Sequence, residues 1–210
     1  MSPAGAAAIR AGARRVLLGV GGTATTDGGL GALDALGWSL SGVPVTVACD
    51  VSARFLEASR FSAQKGATPA QVELLARRLA QLAQTYLQRT GVDVRELAGS
   101  GAAGGLPGGL AAIGAKLEPG FDVVAEAVGL EAHLEGADLV VTGEGRLDAT
   151  SFLGKVVGGV LEWGGDLGVL RRAVIAGQVT DDARDEIALH PGVEVLALTD
   201  RVWQAGEAFA

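Results

Sequence analysis

Cysteine, histidine and aromatic side chains are scarce in this sequence. One cysteine, Cys49, stands among 210 residues, which excludes an intramolecular disulfide framework and suits a reducing, cytoplasmic compartment. The two histidines, His133 and His190, lie far apart in the chain. With a single thiol they are too few for a zinc site. Aromatics make up 4% of the residues, so Ala, Leu, Val and Gly must fill the interior. Cations never cluster beyond the pairs Arg14-Arg15, Arg77-Arg78 and Arg171-Arg172, and the formal net charge is −7. That excludes nucleic acid as a main partner, because its binding relies on clustered cations. The N-terminus has no charged-then-apolar leader pattern. The uncharged stretch from Ala98 to Ala115 holds seven glycines and Pro107, too many breakers and too few large apolar residues for a membrane span.

The chain does have length for one substantial core, 49% apolar residues and 33 glycines gathered in clusters, the composition of a folded domain with several tight loops. Apolar runs alternate with helical patterns throughout. Strands are predicted at Arg15–Leu18, Pro44–Cys49, Asp138–Thr142, Arg172–Ala176 and Val193–Leu198. Between them fall helices over Ala32–Leu36, from the second glycine loop to about Ala115, over Phe121–Val128 and Leu130–Leu134, from Lys155 to about Trp163, and over Asp181–Leu189. A last helix is predicted from Arg201. The sharpest helix signal is a capping box: Thr68 as N-cap, Pro69 at the first position, Gln71 at the third, and Gly91 as the stop. Val72, Leu75, Leu79, Leu82 and Tyr86 give that helix one apolar face. Val51 to Ala63 follows no regular period. The alternation predicts an α/β fold with a three-layer, mostly parallel sheet. A helix over Ser2 to Gly12 feeding the first strand reads as the return half of an earlier unit, so a longer architecture is expected to precede Met1.

The stretch from Gly19 to Gly31 links a strand to a helix through glycines, Thr23, Thr25, Thr26 and Asp27. Backbone amides at such a place can converge on an anion. A plain tight turn using glycine at positive φ is the competing reading. Gly19, Gly21 and Ala24 also fit a dinucleotide fingerprint, as do Gly99, Gly101 and Gly104, but the acidic residue after the next strand, Asp50, falls later than that fingerprint asks. The second loop has no clear strand before it. A Walker A loop fails because Val156 follows Lys155 and Ala149 replaces its first glycine. No G-x-S-x-G elbow supports a serine hydrolase. There remain amides and hydroxyls near Thr23 and Ser100, carboxylates at Asp27, Asp50, Glu144 and Asp148, and cations at Lys65, Arg146 and Lys155. Asp50 could equally cap a turn. That inventory suits phosphoryl transfer, in which lysines and amides cradle phosphate and a carboxylate takes the hydroxyl proton.

Five motifs in order go further. Gly19-Val-Gly-Gly-Thr-Ala-Thr-Thr-Asp-Gly-Gly29, Ala48-Cys49-Asp50-Val51, Gln64-Lys65-Gly66-Ala67-Thr68-Pro69, Gly99-Ser100-Gly101-Ala102-Ala103-Gly104-Gly105-Leu106 and Thr142-Gly143-Glu144-Gly145-Arg146-Leu147-Asp148 with Gly154-Lys155 resemble the signatures of bacterial glycerate kinases. The resemblance implies transfer of the ATP γ-phosphoryl group to D-glycerate with Mg²⁺, 2-phosphoglycerate being the favoured product. It implies a flavodoxin-like domain over residues 1–160 and part of a restriction-endonuclease-like α/β domain over 161–210, with the active site between the family's two domains. Asp148, Asp27 and Lys155 are the expected catalytic residues, with Asp148 as general base. Gly21, Gly22, Thr23, Thr25, Gly28, Gly29, Lys65, Ser100, Gly101 and Arg146 are expected to bind substrate or phosphate, and Glu144 and Asp50 to hold the metal. Small molecules are the only partners expected, with neither nucleic acid nor membrane. The family's D-S-F-K-G and A-D-G-G-E-G motifs, which belong to the same cleft, do not occur in these residues. The alternative is a non-catalytic remnant, or a nucleotide- or organic-acid-binding module, of the same fold.

Overall fold

The computed structural model describes Ala7 and residues 11–200. Most of the helix expected over Ser2 to Gly12, and all of that expected from Arg201, lie outside the described residues. The chain divides into two compact units, Met1–Gly120 and Phe121–Ala210, whereas the resemblance puts the boundary after residue 160. There are two sheets, each of three parallel strands.

In the first unit, β1 (Val16–Gly19), β2 (Val45–Cys49) and β3 (Lys116–Pro119) lie side by side in that order. Gly19 pairs with Ala48 and Cys49 with Pro119. Because all three strands run the same way, the loop after Gly19, the carboxylate of Asp50 and the backbone of Gly120 gather at one sheet edge, where α/β proteins place ligands. β3 was not expected. It reads Lys-Leu-Glu-Pro and is only partly buried, and a short polar edge strand ending in proline carries no apolar signature.

Among the described residues α1 (Leu30–Ala35), α2 (Pro69–Thr90) and α3 (Leu106–Ala112) serve this sheet. The segment expected to be irregular forms a 3-10 helix over Phe55–Lys65. α2 begins and ends where its caps direct. The Thr68 N–H donates to Gln71 Oε1 at 2.8 Å, the Gln71 N–H donates to Thr68 Oγ1 at 3.4 Å, and Gly91 closes the helix at φ 78°. Its inner face buries Leu79, Ala83 and Tyr86 with Leu33, Val47, Phe55 and Leu110. Trp38 meets the Tyr86 ring edge-on at 5.7 Å, and the Arg89 guanidinium lies 3.7 Å from the centre of the Trp38 ring.

In the second unit, β4 (Val140–Leu147), β5 (Arg172–Val179) and β6 (Val193–Ala197) again run parallel in sequence order. α4 (Gly120–Val128), α5 (Leu130–Leu134), α6 (Val156–Asp166) and α7 (Asp181–Ile187) accompany them. Leu147, Val157, Leu161, Val174, Ala176 and Ala183 form the buried centre. Trp163 packs beside a smaller cluster of Leu134, Val140 and Val169 and meets Phe121 edge-on at 5.7 Å. β4 is longer than its apolar run. The Gly-Glu-Gly-Arg stretch, expected as a loop, is strand, because β5 pairs with it as far as Leu147 opposite Val179. A Cβ at Gly143 would collide with the Ile175 carbonyl, and one at Gly177 with that of Gly145. These glycines permit close strand approach. Among the described residues no helix is long and apolar enough to cross a membrane.

Removing the Thr68 hydroxyl tests the capping argument. Thr68→Ala is expected to cost about 1 kcal/mol, read as a lower urea midpoint at unchanged slope.

Candidate functional site

The loop after β1 has two parts with different surroundings. Gly19, Gly21 and Gly22 have no heavy atom within 4 Å of the position a Cβ would take, and Gly22 sits at φ 58°. This part is open. Gly28 and Gly29, at φ 65° and 81°, are packed: Phe55, Leu79 and Leu82 fill the space beside Gly28, and the Leu106 backbone fills that beside Gly29. Their amides are also engaged. The Gly28 N–H donates to the Gly104 carbonyl at 3.0 Å, and the Gly28 carbonyl accepts from the Tyr86 hydroxyl at 2.9 Å. Asp27 accepts from the Gly29 N–H through Oδ1 and from the Gly31 N–H through Oδ2, at 3.1 and 3.2 Å. Its carboxylate therefore ties the loop to the first turn of α1.

Lys65 ends the 3-10 helix and reaches the loop from the side. Its Nζ donates to Thr23 Oγ1 at 3.2 Å and to the Thr25 carbonyl at 2.5 Å. Burial pulls its ammonium down from the ordinary lysine value, while the charge of Asp27 works the other way. Thr23, Thr25 and Lys65 are thus brought together with the open glycines.

Ser100 and Gly101 do a different job. The Ser100 hydroxyl, fully buried, donates to the Leu97 carbonyl at 2.6 Å. The Gly101 N–H donates to the Ala53 carbonyl at 2.9 Å, and a Cβ there would strike the Arg54 carbonyl. Ser100 fixes the second loop to its own upstream turn, and Gly101 fixes it to the start of the 3-10 helix. Asp50 is exposed at the end of β2, and its carboxylate lies where a Cβ of Gly120 would be. Beside it the Cys49 thiol is pushed up to about 11 by burial and by the Asp50 charge, which keeps it protonated and unreactive.

In the second unit Glu144 lies on β4 opposite Ala176. Its Oε1 is buried and has no hydrogen-bond partner. An orphaned carboxylate oxygen suits a hard cation such as Mg²⁺, which takes one or two carboxylates and completes its shell from water and phosphate. No three His, Cys, Asp or Glu side chains gather among the described residues, so an all-protein cage is not built here. Arg146 is exposed, opposite Gln178.

Asp148 and Lys155 meet through Thr150. The Thr150 hydroxyl donates to Asp148 Oδ1 at 2.6 Å, and its backbone N–H donates to the same oxygen at 2.9 Å. Lys155 Nζ in turn donates to Thr150 Oγ1 at 2.7 Å. The Thr150 hydroxyl bond is the largest influence holding the Asp148 carboxyl below its ordinary value, with the Lys155 charge adding to it. Asp182 completes the turn by accepting from the Ala149 N–H at 3.3 Å. Thr150 and Tyr86 were not among the expected residues. Asp148-Ala-Thr-Ser is a short capping pattern, in which the Asp148 N–H donates to Ser151 Oγ at 3.1 Å, and that pattern was the available signal.

The sequence profile of the glycerate kinase family matches residues 5–43 and 39–210. The chain belongs to the glycerate kinase family. The Escherichia coli K12 protein named glycerate 2-kinase is 37% identical over 188 residues, covering 73% of this chain and 49% of that protein. The Haemophilus influenzae protein named glycerate kinase is 35% identical over 188 residues, covering 73% and 50%. A crystal structure from Salmonella typhimurium LT2, of a protein provisionally assigned as glycerate kinase 2, superposes with TM-score 0.72 at 33% identity, covering 91% of this chain and 58% of that one. The chain spans about half the length of these curated relatives. The parallel strands and helices of this chain are similar in fold to that Salmonella structure.

Two substitutions test the geometry. Tyr86→Phe strands the buried Gly28 carbonyl and is expected to cost about 1–3 kcal/mol, measured by denaturant unfolding. Thr150→Val removes the largest influence depressing Asp148. The carboxyl is then expected to titrate at higher pH than in the parent, read by NMR of labelled aspartate, whereas Thr150→Ser keeps the parent value.

Proposed function

We propose that this chain carries out ATP-dependent phosphorylation of D-glycerate, giving 2-phosphoglycerate, in a reducing cytoplasmic compartment. The observation that carries the reading is the hydrogen-bonded run Asp148–Thr150–Lys155: a carboxylate kept ionised beside a cation, on the turn after a parallel strand. Asp148 is the general base. It accepts the proton of the glycerate hydroxyl as that oxygen bonds to the γ-phosphorus, and the bond to the β-phosphate oxygen breaks to release ADP. Lys155 offsets the charge of the transferred group, and within the first unit Lys65 is a cation available to phosphate. The open amides of Gly21 and Gly22 and the Thr23 hydroxyl offer donors to phosphate, while Thr25 holds Lys65 in place. Gly28, Gly29, Ser100 and Gly101 serve by fixing the loop, and Asp27 by tying it to α1. Arg146 is free to meet the carboxylate of the acid. Glu144, whose Oε1 has no partner, would hold Mg²⁺, which when bound lowers the charge of the phosphates.

The depressed Asp148 carboxyl sets the pH dependence. A group whose value is lowered stays ionised as pH falls through the ordinary aspartate range, so the acid limb of turnover lies below that range. Coupling to enolase reads the position of phosphorylation, because enolase consumes 2-phosphoglycerate and not its 3-isomer. Turnover with ATP, Mg²⁺ and D-glycerate is expected, and Asp148→Asn should lower kcat by about 10²–10⁴-fold. No turnover from folded chain overturns the kinase reading, and ligand binding without turnover favours a binding module of the same fold.

A further inference from the structure

The first unit contains a cleft of about 410 Å³ beside the open glycine loop, lined by Thr26, Lys65, Gln71, Leu74, Leu75 and Arg78 among others. Its size falls within the ordinary range for small-molecule sites. The charge of its wall is unusual for this chain. The formal net charge is −7, yet two cations and no carboxylate line the cleft. Arg78 pairs with no carboxylate among the described residues. Lys65 is already fixed on the cleft's loop side by Thr23 and Thr25.

Two further features point to a ligand. Thr26 lines the cleft, and its Oγ1 is buried without a hydrogen-bond partner. Leu74 leaves 42% of its surface exposed and lines the cleft beside Leu75. A wall that combines cations and a hydroxyl with leucines fits a ligand that has both an anionic part and a flat apolar part. D-Glycerate is polar throughout and has no group for the leucines. A nucleotide has both ends, and an arginine can stack on its base.

We propose that this cleft binds the nucleotide, with the phosphates toward Lys65 and Thr26 and the base against Leu74, Leu75 and Arg78. It deepens the kinase reading and rests on that reading only for the nucleotide's role as phosphoryl donor.

Calorimetric titration of the full chain with ADP tests it. Leu74→Glu and Arg78→Glu each put a carboxylate at an exposed position of the cleft, and each should weaken ADP binding by about tenfold or more. Arg78→Ala, which removes a charge without adding one, should give a smaller loss in the same direction. Arg77→Glu makes the same charge change at a neighbouring residue outside the cleft and should stay within about twofold of the parent. D-Glycerate binding should not move in any of them. Absence of ADP binding by the parent chain, parent-like binding in both cleft variants, or an equal loss in Arg77→Glu overturns the proposal. ADP binding lost in the cleft variants of a chain that transfers no phosphate removes the kinase reading and leaves the cleft. Turnover with an ATP KM unmoved by these variants removes the cleft and leaves the kinase.

Discussion

Backbone lies directly on backbone where the two glycine loops of the first unit meet. The Gly104 carbonyl accepts from the Gly28 N–H, and a Cβ on Gly104 would occupy the position of the Thr25 carbonyl. A Cβ on Gly105 would likewise press on the Gly28 Cα at 2.8 Å, and one on Gly109 on the Gly28 carbonyl at 2.5 Å. Main chains can approach so closely only where side chains are absent. Because these glycines lock the second half of the first loop, its first half can stay open without the whole loop losing its shape. Tyr86 secures the same place from α2, its phenol kept protonated chiefly by burial, with the charges of Asp27 and Asp34 adding to it. The geometry of Thr23, Thr25 and Lys65 depends on this packing.

Local signals made part of the fold legible. α2 could be read from cap to cap because Thr68, Pro69, Gln71 and Gly91 each act on adjacent backbone. The strand starting at Val16 and the one ending at Cys49 were visible as apolar runs. Long-range pairing was not visible. β3 exists because Lys116–Pro119 pairs with β2, far back in the chain, and nothing in Lys-Leu-Glu-Pro announces it. β4 ran on through glycines that look like a loop until β5 is set beside them. The 3-10 run over Phe55–Lys65 turns with a period that a search for 3.6-residue helices does not find.

The candidate site shows the same division. The residue types suggested phosphate chemistry, but sequence alone could not separate glycines that face open space from glycines packed against side chains or another backbone. That separation divides Gly21 and Gly22 from Gly28, Gly29 and Gly101. It also could not show that one threonine joins Asp148 to Lys155, since Thr150 does so through the shape of its turn. In this acidic chain the cations Lys65 and Lys155 are each held in place by a hydroxyl, and Lys65 by a carbonyl as well, in place of a broad positive field.

The scarcity of aromatic residues has a practical side. Trp38 sits in the first unit, edge-on to Tyr86 and beneath Arg89, while Trp163 sits in the second against Phe121. Among the described residues each unit thus carries an indole in a distinct electrostatic setting, one under a cation and one beside a hydrocarbon ring. Emission from chains retaining a single one of these indoles would report melting of its unit alone, so the molecule holds an optical means of asking whether its two halves unfold together or in turn.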